Sequence, residues 1–147
     1  TPASKPSGAL QSRPVFYPTD KHMQCVPYAR DVSGISIRGD AHTWWDQAKG
    51  RYVRTHTPQV GAVMVLSKTK RLKYGHVAVV KRIIDKRTIE VEHTNWGGDL
   101  KSRCVVYENM PVIDSSPNGD WSRARFYHYA SGSFGSNYKV SGFILPD

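Results

Sequence analysis

The chain of 147 residues is poor in cysteine, in acidic residues and in long apolar runs. Each shortage excludes something. Two cysteines, Cys25 and Cys104, are too few for a disulfide framework, so the fold must rest on a hydrophobic core. A single Cys25–Cys104 disulfide stays open at this level, although it would block any thiol chemistry. The longest apolar stretches, Ala62 to Leu66 and Val77 to Val80, are strand-sized. They fall far short of the roughly 18 residues of a membrane span, so no stable membrane insertion is expected. Tight His/Cys/Asp spacing of the kind that holds zinc is missing, and neither a metal nor another cofactor is expected. Zinc-finger spacing, RNA-binding aromatic signatures and basic zippers are missing too, which argues against nucleic acid. No internal repeat is visible.

What is present is positive charge. Lys and Arg total 21 against 12 Asp and Glu, a formal net charge of +9. Such an excess attracts anionic polymers over a range set by salt. The basic residues are dispersed, and the densest stretch is Lys68, Lys70, Arg71 and Lys73. Hydrophobic residues at 39% and charged residues at 22% are ordinary for a globular domain, and the length suits a single core. A monomer is expected.

Residues 1–12 are rich in Ser, Pro, Ala and Lys and read as a flexible leader or linker. The sequence opens on Thr1 rather than Met, and the expectation is that an export signal, a larger N-terminal part or added sequence preceded it. Residues 13–147 form the candidate catalytic domain, with order beginning near Val15 or Tyr17. Cys25, Tyr28, Ala29 and Val32 follow helical spacing, Pro27 fits a first turn, and Gly34 is a stop. A second helix is predicted from Asp40 to Ala48, with Ala41, Trp44, Trp45 and Ala48 as its apolar face and Gly50 as its end. The period then changes to strands at Gly61–Leu66, His76–Ile84 and Thr88–Asn95, with later ones at Arg123–Tyr129 and Tyr138–Leu145. The segment from Leu100 to Trp121 gives no readable pattern. Two helices followed by antiparallel strands make an α+β arrangement.

Three residues in this pattern could do chemistry together. A thiol at a helix start has its thiolate stabilised by the helix dipole, and Cys25 falls in the first predicted turn. An imidazole beside it can serve as base, and His76 opens a strand after Gly75. A third polar group must orient that imidazole. In the strand Thr88–Asn95 the apolar face carries Ile89 and Val91, and the alternation continues to His93 and Asn95. Glu92 falls on the opposite face with Glu90. The pleat therefore nominates His93, and Glu92 stays in reserve because a bulge near Gly97 would reverse the faces. Cys104 reads as a structural thiol. Trp44, Trp45 and Trp96 read as core or groove wall, and His22, His42, His56 and His128 as surface or loop residues.

The run Gln24-Cys25-Val26-Pro27-Tyr28-Ala29-Arg30 resembles the start of a CHAP domain, the cysteine, histidine-dependent amidohydrolase/peptidase family. The order of features continues. Ala41 to Ala48 resembles the family's second helix, and Pro58, Gly61 and Ala62 resemble its Pro-x-x-Gly-Ala strand entry. Gly75-His76-Val77-Ala78 resembles its Gly-His-Val-Ala motif, and Asn95-Trp96 its Asn-Trp strand end. Tyr138, Val140, Gly142 and Phe143 resemble a closing motif of some bacterial members. The resemblance spans about residues 17 to 145. It implies a papain-like (NlpC/P60-like) α+β fold, with N-terminal helices packed on an antiparallel sheet. Many members have Glu where this chain has His93, and a Cys-His-His set resembles the related NlpC/P60 cell-wall peptidases. The family pattern adds Asn95 as a second polar support. It implies an oxyanion held by the backbone N–H of Cys25 and a further donor, with Tyr17 and Gln24 both open and Trp96 near the substrate.

The function so implied is hydrolysis of an amide bond in peptidoglycan, by an N-acetylmuramoyl-L-alanine amidase or an endopeptidase. The setting would be exported: periplasmic, extracellular or at the cell wall, of bacterial or phage origin. Two rivals stay open. One is a non-catalytic cell-wall-binding module, whose binding would survive loss of Cys25. The other is an amidase of small γ-glutamyl or polyamine amides, and the +9 charge argues mildly against a cationic polyamine substrate.

Overall fold

The computed structural model describes residues 15–18, 32–35, 37, 41–70, 72, 75–94, 105–128 and 132–146. The leader 1–12, the predicted first helix up to residue 31 and the Gly97-Gly98 turn lie outside them. Eight strands are described: β1 (Val15–Pro18), β2 (Val53–Thr55), β3 (Val63–Leu66), β4 (His76–Asp85), β5 (Thr88–Thr94), β6 (Val105–Asp114), β7 (Arg123–His128) and β8 (Ser133–Leu145). All their pairings are antiparallel. The order runs β1-β6-β5-β4-β3-β8-β2, and β7 bridges β6 and β8. The ladder from β3 through β4, β5, β6, β7 and β8 therefore returns to β3, a closed ring that leaves β1 and β2 as flanking strands. Closure removes the open edges that a six-stranded sheet would otherwise present.

The ring encloses one core and carries a second on its outside. Inside lie Met64, Leu66, Ala78, Val80, Ile89, Val91, Met110, Val112, Phe126 and Phe143 with their neighbours. Outside, Val63, Val65, Val77, Val79 and Ile144 pack against Ile35, Ile37, Ala41, Trp44 and Ala48. Strand β3 is buried on both faces, which is why it reads as an unbroken apolar run rather than an alternation. Each such side chain contributes roughly 1.5–3 kcal/mol of burial.

Among the described residues the second predicted helix is present in altered form. The expected Asp40–Ala48 helix is a 3₁₀ turn, Ala41–Thr43, followed by a single α turn, α1 (Trp44–Gln47). The apolar face is right: Ala41, Trp44 and Ala48 are buried, while Trp45 is half-buried. Helical geometry thus runs over Ala41–Gln47, close to the predicted span, with its first half 3₁₀; Thr43 makes no side-chain capping bond, and Ala48 N–H closes the last turn on the Trp44 carbonyl at 3.0 Å. Among the described residues the architecture is mainly β, and a helical layer covers only the β3/β4 side.

Two further differences have clear causes. β8 starts at Ser133, five residues before the apolar pattern from Tyr138, because it pairs there with β7 through Tyr127↔Phe134 and His128↔Ser133. β6 occupies the stretch that gave no pattern, and carries Pro111 in mid-strand. Pro111 falls in the gap between residues 105–108, which pair with β1, and residues 112–114, which pair with β7. A proline, lacking an N–H, is tolerated where a ladder is already broken. Asn109, in the same gap, has φ +56. Downstream, buried Asp114 ties the turn into β7. Its Oδ1 accepts from Ser116 N–H at 2.8 Å and Ser116 Oγ at 2.6 Å, and its Oδ2 accepts from Trp121 N–H at 3.2 Å.

Candidate active site

His76 is the first residue of β4, opposite Leu66 at the end of β3, so it stands at the rim of the ring. The residue before it fixes that position. Gly75 has φ +71, and a Cβ there would stand 2.6 Å from the Leu66 carbonyl oxygen and 2.7 Å from the His42 nitrogen. Only glycine lets the chain pass between β3 and the 3₁₀ turn. Gly142 plays the matching part on β8: a Cβ would stand 2.5 Å from the Trp45 ring.

From His76, side chains alternate across β4. His76, Ala78 and Val80 face the inner core, and Val77 and Val79 face the outer one. On β5, Ile89 and Val91 belong to the inner core, and His93 continues their face. Val79 pairs with Glu92, so His93 lies across from Ala78 and diagonal to His76. The small Ala78 side chain leaves room for both rings. His76 Nε2 and His93 Nδ1 are 2.8 Å apart in a hydrogen bond, with the rings edge-on at 5.1 Å between centroids. Both residues are buried, at 3% and 1% exposure.

Burial sets their charge. Removal from water pushes His76 from 6.5 down to about 3. Burial first, and His76 second, hold His93 well below the usual imidazole range. At neutral pH both rings are neutral, so each carries one proton, and one ring donates to the other. His93 also reaches β6. Its Nε2 is 3.0 Å from Met110 Sδ, and its ring lies 5.4 Å from Tyr107 and 5.5 Å from Phe126.

Met110 is a contact that sequence reasoning missed. It arrives through a bulge: Val91 pairs with Met110 and His93 with Tyr107, so β6 spends one residue more than β5 across that interval. Neither the bulge nor the left-handed Asn109 has a signature in the local composition. The one available signal is the apolar Met110 and Val112 flanking Pro111 at strand spacing.

The other predicted site residues are distributed as follows. Glu92 lies on the opposite face of β5 from His93, with its carboxylate 3.9 Å from Lys81 Nζ. Tyr17 is in β1, paired with Val106, and only its backbone is described. Gln24, Cys25, Asn95, Trp96 and Cys104 lie outside the described residues. Among the described residues, no group of three or more His, Cys, Asp and Glu is placed to hold a metal ion. No described helix is long and apolar enough to cross a membrane. Chemically, the pair offers a neutral, oriented imidazole that can take a proton from a neighbouring group.

A family model described as the CHAP domain matches residues 16–95, just over half of the chain. The staphylococcal secretory antigen ssaA2 of Staphylococcus aureus (strain MRSA252) is 33% identical over 89 residues, which cover 56% of this chain and 32% of that protein. The chain thus spans about a third of that relative's length. Among solved structures, an N-acetylmuramoyl-L-alanine amidase from Staphylococcus aureus superposes with a TM-score of 0.51 at 22% identity, covering 81% of this chain and 30% of the amidase. That likeness is one of fold. The structure of Ly7917 gives a TM-score of 0.39 at 15% identity over 83% of this chain and 84% of its own.

Proposed function

Because the chain belongs to the CHAP domain family, we propose that it is a peptidoglycan hydrolase that cleaves an amide bond through a Cys25 nucleophile and a His76 base. The observation that carries this reading is the buried 2.8 Å bond between His76 Nε2 and His93 Nδ1, within the span that matches the family. With Nε2 engaged by His93, Nδ1 is the ring nitrogen of His76 that this reading assigns to the thiol. His93 orients the base, Asn95 supports it, and Glu92 holds the reserve place. The same proposal includes a papain-like arrangement, with a Cys25-bearing helix laid against the sheet.

In the reaction, the Cys25 thiol gives its proton to His76 Nδ1, the sulfur forms a bond to the amide carbonyl carbon, and the negative charge moves to the carbonyl oxygen. The backbone N–H of Cys25 and a donor from Tyr17 or Gln24 hold that oxygen. The C–N bond then breaks, and His76 gives its proton to the departing amine. Water attacks the thioester, passes a proton to His76, and the acid leaves as the thiol is restored. Burial disfavours charge on His76, so the resting ring is neutral. A thiolate beside it supplies the opposite charge that lets the ring hold a proton in passing. Trp96 forms part of the groove wall.

The substrate follows from charge as well as from kinship. A net charge of +9 favours an anionic wall polymer. A secretory antigen among the relatives and an amidase among the fold neighbours point the same way. In this reading the protein is exported and acts in the periplasm, outside the cell or at the cell wall, as a monomer.

Mass spectrometry of purified peptidoglycan after incubation with wild type and with Cys25→Ala tests this. Wild type alone should release soluble fragments. A new L-alanine N-terminus would make the enzyme an amidase, and a new terminus within the stem or crossbridge an endopeptidase. If neither protein releases fragments while both sediment with the wall, the chain is a binding module and the catalytic roles fall.

A further inference from the structure

Within the proposed Cys-His-His site, proton placement on the two rings is undetermined by their own contact. Either His76 Nε2–H donates to His93 Nδ1, or His93 Nδ1–H donates to His76 Nε2. Only the first leaves His76 Nδ1 as a bare lone pair able to accept a proton. The second puts the proton of His76 on Nδ1 and makes it useless as a base.

Met110 breaks the tie. A thioether sulfur carries no hydrogen and can only accept. Its Sδ stands 3.0 Å from His93 Nε2. If that nitrogen were bare, two lone pairs would face each other at this distance with no proton between them. With a proton on Nε2, the contact is an N–H···S hydrogen bond. A neutral ring has one proton, so a proton on His93 Nε2 leaves Nδ1 bare. His93 Nδ1 must then accept, His76 Nε2 must donate, and His76 Nδ1 is left as the acceptor.

We infer that Met110 is a positioning residue which, through His93, fixes the tautomer of His76 in the form that acts as a base. The inference rests on the proposed hydrolase reading for its consequence in catalysis, but the tautomer relay itself is a property of the folded chain. Its origin is the β6 bulge. The extra residue between Tyr107 and Met110 and the left-handed Asn109 bring a side chain of the inner core up to a ring nitrogen near the rim. Met110 and His93 are both 1% exposed, which keeps them apart from bulk solvent as an alternative acceptor.

The test uses the full chain labelled with ¹⁵N-histidine at pH 7.5, where both rings are neutral. Long-range ¹H–¹⁵N correlations distinguish a protonated from a bare ring nitrogen. In wild type, both rings should carry their proton on Nε2. Met110→Leu conserves volume and removes the acceptor. It should spread the proton of each ring over both nitrogens and lower kcat on peptidoglycan about three- to tenfold, the weight of one hydrogen bond, with KM unchanged. Met110→Gln can present a carbonyl oxygen and should restore the Nε2–H pattern. The relay is overturned if wild-type His93 carries its proton on Nδ1, or if Met110→Leu leaves both tautomers as they were, whatever happens to kcat. The positioning role is overturned if the tautomers shift and kcat does not. Should Met110→Leu fail to fold, the wild-type spectrum alone decides the relay. If the tautomers behave as stated but wild type cuts no peptidoglycan, the hydrolase proposal fails and the relay stands.

Discussion

Strands β4 and β5 carry two polar pairs, one buried and one half-buried, toward opposite ends of their ladder and on opposite faces. At the rim, on the inner face, His76 and His93 meet nitrogen to nitrogen at 2.8 Å. Toward the hairpin turn, on the outer face, Arg82 Nη1 reaches Glu90 Oε1 at 3.4 Å. Burial acts on both pairs with opposite results. It pushes the histidines down, to the neutral form. It also pushes Glu90 up, toward its neutral acid, with Arg82 opposing. The histidine pair is satisfied in that neutral form. The carboxylate pair is not, since Glu90 Oε2 is buried without a hydrogen-bond partner among the described residues. A neutral, mutually satisfied pair costs little to bury and holds a proton acceptor in one orientation. A half-satisfied ionic pair of the kind at Glu90 is a weak source of stability.

The largest effect that would break this contrast lies in activity. His93→Leu removes the acceptor of His76 Nε2–H, and should lower kcat/KM on peptidoglycan by between about a hundred- and ten-thousandfold. Glu92→Gln, on the other face beside Lys81, should lower it by less than about twofold. A reversed ranking would transfer the orienting role to Glu92. Next in size is Gly75→Ala. The added carbon meets the Leu66 carbonyl at 2.6 Å and the backbone sits at φ +71, so unfolding by urea should show a loss of about 3 kcal/mol or more. A loss below 1 kcal/mol would mean that the rim can shift and that His76 is not pinned by its backbone.

The two pairs also differ in how pH acts on them. For the histidines the folded pKa is depressed, so the unfolded chain binds more protons below 6.5. Their contribution is fully present above that value and is lost as pH falls through the folded values, about 3 for His76 and well below 6.5 for His93. The expected slope is about 1.4 kcal/mol per pH unit for each ring that protonates only on unfolding. Urea unfolding at pH 7, 6 and 5 would measure it. A stability that is flat over that range would show that the rings protonate within the folded state.

The contrast was partly legible in the sequence. Strict alternation from Ile89 to His93 gives the face of His93 without a structure, because a strand's side-chain period is two and β5 keeps it. Burial of Glu90 was not legible, since an acid alternating with Ile89 and Val91 reads as a solvated residue. Met110 was hidden by a bulge, whose left-handed Asn109 carries no glycine to announce it. The ring closure was equally hidden. It depends on β7 reaching both β6 and β8, and pairing between distant segments leaves no local pattern. The apolar positions around Trp44 were readable as a helical face, while the division of that face between a 3₁₀ turn and an α turn was not.

The smallest expected effect sharpens the comparison most. Glu90 has its folded pKa raised, so the sign is opposite to that of the histidines: its contribution is present below 4.5 and is lost as pH rises through the folded value. Glu90→Gln abolishes this titration. Arg82 loses this carboxylate, but its side chain is 30% exposed and keeps part of its hydration. The usual penalty for orphaning a fully buried charge therefore does not apply. At pH 7 the variant should match wild type or exceed it, by no more than about 1 kcal/mol. The difference should shrink as pH drops below 4.5, where the acid is protonated in both the folded and the unfolded chain. Urea unfolding of both proteins at pH 7 and pH 4 reads this directly. A loss of more than about 2 kcal/mol at pH 7 would mean that the Arg82–Glu90 contact holds the hairpin end in its ionic form, and that the two pairs are alike after all.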